Sequence, residues 1–150
     1  LPRTLARRDK LFTVDGPVFA PYVLVSTPAP LPVSVTADRS VRVPLKVADD
    51  VRAAARSGLL RRIELELVFA GQSPASTADR LSVELNGRRL RRRDLIGNTV
   101  DDDEKTPGCR LTFRVTAPPL DRGVNRLKFR LADGSKPLTL TRVHLRVDYE

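Results

Sequence analysis

Arg142-Val143-His144-Leu145-Arg146-Val147-Asp148-Tyr149 alternates polar or charged residues with apolar ones, without a break. A period of two places one set of side chains on a buried face and the other in water, the signature of a half-buried β-strand. The pattern repeats upstream. Leu127, Phe129 and Leu131 alternate with Arg126, Lys128 and Arg130; Leu111, Phe113 and Val115 alternate with Arg110, Thr112 and Arg114. Leu81, Val83 and Leu85 alternate with Ser82, Glu84 and Asn86, and Ile63, Leu65 and Leu67 with Arg62, Glu64 and Glu66. Such strands pair into antiparallel sheets that bury one face each.

Outward from this set, Ser40 to Val47 reads as a strand whose Pro44 lacks an N–H, which predicts an edge position or a bulge. Leu11 to Val14 and the proline-spaced Tyr22 to Val25 are shorter β candidates. Asn86-Gly87 is a tight-turn dipeptide, and Arg88 to Leu95 is expected to return from it as a short basic strand. The segments Gly71 to Thr77 and Gly97 to Gly108 read as polar loops. Residues 49–57 predict one short helix, with an Asp to cap it, alanines within it and Gly58 in the left-handed position beyond it. Strands joined by turns, without βα alternation, predict an all-β protein: a jelly-roll or Greek-key sandwich of about eight strands. Residues 1–10 read as a lead-in and 11–150 as a single domain. The chain begins with Leu and contains no Met, so it is expected to be part of a longer protein.

Composition narrows function more than it defines it. No apolar run approaches the ~20 residues of a membrane-spanning helix. A single cysteine, Cys109, leaves the compartment open, and the reading favours an extracellular or periplasmic setting. Cys109 is expected to be a small residue at the start of a strand; its only possible imidazole partner is His144. With one His, one Cys and acids mostly in loops, no triad, metal cluster or carboxylate pair is recognisable, and the chain is read as not an enzyme.

The net charge is +9, supplied mainly by arginine. Arg110, Arg114, Arg126, Lys128, Arg130, Arg142 and Arg146 are candidates for one basic sheet face that contacts a ligand. The run Arg88-Arg89-Leu90-Arg91-Arg92-Arg93 could meet phosphate or uronate groups, or simply form a charged edge that discourages aggregation. Nucleic acid is disfavoured, because sheet-based readers add exposed aromatics and none lies beside this run. Asp101, Asp103 and Glu104 are candidate Ca²⁺ ligands. Their run is continuous and lacks the alternating spacing and the turn-making Gly of a calcium loop, so no cofactor is expected.

Asp79-Arg80-Leu81-Ser82-Val83-Glu84-Leu85-Asn86-Gly87, then Pro119-Leu120-Asp121-Arg122-Gly123-Val124-Asn125-Arg126-Leu127, then the closing Leu138–Tyr149 strand resemble the galactose-binding-domain-like jelly rolls attached after catalytic barrels in bacterial glycoside-hydrolase-type proteins. The resemblance implies a non-catalytic accessory domain packed on a neighbouring domain, with carbohydrate binding as the alternative. The chain departs from carbohydrate-binding members in having no Trp. With Phe69, Phe113 and Phe129 assigned to the core, Phe19 and Tyr22 are left as candidate sugar stackers.

Overall fold

The computed structural model describes residues 9–13, 31–70, 74–101, 108–116 and 118–150. Along the chain run β1 (Asp9–Thr13), β2 (Val33–Val35), β3 (Val41–Val47), α1 (Val51–Arg56), β4 (Leu60–Ala70), α2 (Pro74–Arg80), β5 (Leu81–Leu85), β6 (Arg88–Arg89), β7 (Leu95–Asp101), β8 (Gly108–Val115), β9 (Gly123–Leu131) and β10 (Leu138–Tyr149). They form an all-β sandwich. One sheet has the order β1-β10-β4-β8-β7, with β2 also pairing β10; the other has the order β3-β9-β5-β6. The chain crosses between sheets from β8 to β9 and again from β9 to β10. That rules out a simple meander.

Register turns the alternation into layers. Val143, Leu145 and Val147 of β10 lie opposite Leu67, Leu65 and Ile63 of β4, which in turn lie opposite Leu111, Phe113 and Val115 of β8. The second sheet supplies Val43 and Leu45, Leu127 and Phe129, and Val83 and Leu85; all are almost completely buried. As expected, Pro44 lies on an edge strand, β3. The helix α1 also forms as expected: Asp50 Oδ1 accepts from the Ala53 N–H at 3.0 Å, Gly58 has φ +71°, and Val51 enters the core.

The two motif asparagines meet. Asn86 (φ +50°) and Gly87 (φ +84°) make the β5–β6 turn. The Asn86 side chain reaches across, donating to Asn125 Oδ1 and to the Pro119 carbonyl, both at 2.7 Å. Asn125 is fully buried in the inward row of β9. Its Oδ1 also accepts from the Asp121 N–H, and its Nδ2 donates to the carbonyls of Asp121 and Gly123. A buried amide is tolerated only when satisfied in this way.

Three local expectations are corrected. Gly71 to Thr77 is not wholly loop: α2 starts at Pro74, and proline at a first helical turn costs nothing, because that N–H has no intrahelical acceptor. Gly97 to Gly108 is not wholly loop either, since β7 runs to Asp101 and pairs β8. The Arg88 to Leu95 strand ends after Arg89, and the chain then bends through a 3-10 turn at Arg92–Asp94. There the Arg91 N–H donates to Asp94 Oδ2 at 2.7 Å, which competes with continued pairing.

Tyr149 ends β10 near α1, its hydroxyl donating to Asp49 Oδ2 at 2.6 Å. Burial, then the hydrogen bond and the charge of Asp49, push this hydroxyl above the ordinary tyrosine value. The unfolded chain therefore loses the proton first, from about pH 10 upward, while the folded chain keeps it. The stability Tyr149 contributes is complete below that pH and falls as pH rises. Urea midpoints between pH 9 and pH 11 are expected to fall less steeply for Tyr149→Phe than for the native chain (about one unit either side of the free tyrosine value). Equal slopes would contradict this.

Candidate functional site

The proposed basic face does not form as one surface. Arg110 and Arg114 of β8 and Arg142 and Arg146 of β10 lie on the outer face of the six-stranded sheet. Arg126, Lys128 and Arg130 of β9 lie on the outer face of the other sheet, on the far side of the sandwich. Alternation tells inside from outside, but not which sheet a strand joins, and β9 is the strand that changes sheet.

The two outer faces differ in charge balance. On the six-stranded sheet, Glu66 sits 3.6 Å from Arg142 and 3.9 Å from Arg110, all three side chains partly buried. The nearly buried Asp148 pairs with Arg62 at 3.2 Å. Much of this face is internally neutralised. On the four-stranded sheet, Arg42 and Lys46 of β3, Arg126, Lys128 and Arg130 of β9, and Arg89 of β6 lie around a single strand acid, Glu84, which is 3.9 Å from Lys128. Positive charge is in excess there.

Next to this face the sandwich opens into a cleft of about 750 Å³. Its origin is topological. The edge strand β7 pairs β8 only as far as Phe113, and β6 is only Arg88–Arg89, so the two sheets part beyond those points. The apolar floor is formed by Leu81, Val83, Leu90, Leu95, Phe113 and Val115. Over it run Arg88 to Asp94, with Asp79 of α2 at one side. Arg92 forms an ion pair with Asp79, and Arg88 donates to the Pro118 carbonyl at 3.3 Å. The basic run was legible in the sequence as a run; the cleft was not, because it depends on where two distant strands stop.

Other candidates fare differently. Cys109 is fully buried on the inward face of β8, whereas His144 lies on the outer face of β10, so the two cannot act together. Burial pushes the Cys109 thiol up, opposed in part by a hydrogen bond with Thr77 of α2. Native Cys109 is expected to resist alkylation by iodoacetamide and to react once the chain is unfolded in urea; fast labelling of the native chain would contradict its burial. Asp101 ends β7, while Asp103, Glu104, Phe19 and Tyr22 lie outside the described residues. Among the described residues, no group of three or more His, Cys, Asp or Glu side chains could hold a metal ion, and no helix is long and apolar enough to cross a membrane.

No known protein family and no curated protein matches the sequence. Among solved structures that share the fold is a β-porphyranase of glycoside hydrolase family 86 from the human gut bacterium Bacteroides plebeius. The match has a TM-score of 0.54 and 14% identity and covers 95% of this chain. The chain spans 21% of the length of that enzyme.

Proposed function

We propose that this chain is a non-catalytic β-sandwich accessory domain of a longer, secreted or envelope-associated glycoside-hydrolase-type protein, where it supports a neighbouring domain. The observation that carries the reading is the fold match: nearly the whole chain aligns with about a fifth of a much larger glycan-degrading enzyme. The acids agree with it. Glu66, Asp79 and Asp148 form ion pairs, and Asp50 and Asp94 cap turns, so none of them is placed as an acid–base pair across an open site. Deleting residues 11–150 from the longer protein is expected to lower the unfolding temperature of the remainder. A remainder with unchanged unfolding temperature and unchanged retention on polysaccharide would overturn the reading.

The second reading, carbohydrate binding, is favoured by the cation excess of the four-stranded face, with Arg126, Lys128 and Arg130 as contacts. Arg110, Arg114, Arg142 and Arg146 contribute less in this reading, because Glu66 already engages two of them. Among the described residues no aromatic side chain is exposed, which argues against base stacking and nucleic acid.

A further inference from the structure

We propose that the cleft beneath Arg88–Asp94 is a binding site for an acidic saccharide, one whose rings carry carboxylate or sulfate groups. The proposal rests on the carbohydrate-binding reading for its ligand class, but places the site in the cleft beside the four-stranded face and not on the face itself.

Three properties of the cleft point to this ligand. Its volume of about 750 Å³ lies within the range of small-ligand sites. Its two walls have different chemistry: the floor is apolar, with Leu90 and Phe113, and the rim is cationic, with Arg91 and Arg93. A sugar ring has an apolar C–H face and, when acidic, an oxyanion at its edge. That pairing matches floor and rim together. A neutral sugar would leave the guanidinium groups uncompensated, and a simple anion would leave the floor unused. Guanidinium groups grip carboxylate and sulfate oxygens in bidentate fashion, which suits arginine rather than lysine here.

The rim is also held in place. Arg92 is tied to Asp79 of α2, Arg88 to the Pro118 carbonyl, and the backbone between them to Asp94. Arg91 and Arg93 project from this braced segment, are exposed, and have no ion-pair partner among the described residues. Preorganised cations reduce the ordering cost of binding.

The test is titration calorimetry of the 150-residue chain with oligogalacturonate, sulfated dextran oligomers, neutral dextran oligomers and oligo-dT. Each is repeated with Arg91→Ala/Arg93→Ala and with the face variant Arg126→Ala/Lys128→Ala. The expected result is binding of one or both acidic saccharides and not of neutral dextran. The cleft variant should weaken it about tenfold or more, the loss of two charge-assisted contacts, while the face variant changes it by less than about twofold. The unfolding temperature of the cleft variant should match that of the native chain, since both side chains are exposed. Loss of binding in the face variant alone would overturn the cleft and leave carbohydrate binding standing. Equal binding of oligo-dT, abolished by salt, would overturn both as non-specific polyanion attraction. No binding of any saccharide would also overturn both, without touching the accessory-domain reading.

Discussion

Asn125→Ala is expected to destabilise the chain by about 3 kcal/mol, the cost of leaving several buried partners unsatisfied. Asn125 is fully buried and uses both ends of its amide. Without it, Asn86 Nδ2 and the Asp121 N–H lose an acceptor, and the Asp121 and Gly123 carbonyls lose a donor. The site joins three segments: the β5–β6 turn, the lead into β9, and β3, whose Leu45 carbonyl lies 3.4 Å from Nδ2. For a domain of this size the unfolding temperature should drop by about 10 °C. Asn125→Asp should do no better, because it sets a carboxylate against carbonyl oxygens. Asn86→Ala should be less than additive with Asn125→Ala, since the two share a bond. A loss below about 0.5 kcal/mol, typical of a surface change, would contradict the network.

Phe129→Ala is expected to cost about 4 kcal/mol, among the largest effects of any single truncation here. Phe129 is fully buried and pairs in register with Val41 on one side and Val83 on the other. β9 is therefore held between β3 and β5, both of which also carry motif contacts, and neither can move in to fill the void. Phe113→Ala makes the useful contrast. Phe113 is 7% exposed at the cleft floor, so water can enter the space its ring leaves, and the loss should be smaller than for Phe129. Urea denaturation of both variants checks the order. Equal losses would mean that the cleft does not reach the Phe113 ring.

The strands that reached the structure intact from the sequence are the half-buried ones: β4, β5, β8, β9 and β10. Each has one wet and one dry face, so burial is written in its alternation. β7 escaped because it is an edge with a register shift between Leu95 and Gly97, and it leaves Ile96 and Val100 exposed. With no dry face sustained along it, there is no alternation to read. The helix α2 escaped because Pro, Ser and Thr favour both loops and first helical turns. Its Thr77 is buried against Cys109, a tertiary contact that no local pattern carries.

The candidate site was less legible than the fold for the same reason. Which sheet receives Arg126, Lys128 and Arg130 depends on β9 pairing β3 and β5, residues far away in the chain. The cleft depends on the β7–β8 pairing ending at Leu95–Phe113 and on β6 stopping at Arg89. Residue type showed that Arg88 to Arg93 was cationic; only the ends of paired strands showed that it overhangs an apolar floor. The Asn86 and Asn125 positions are the opposite case. Both stood in the motifs quoted from the sequence, and the structure joins them by a 2.7 Å bond.

The central claim is that this domain works as part of a larger polypeptide, and the most direct test is the size of the native protein. An antibody raised against the folded chain, used on the source organism's secreted and envelope fractions, is expected to detect a band several times larger than 16.7 kDa. A native product of 16.7 kDa in every fraction, with no larger precursor, would contradict the account.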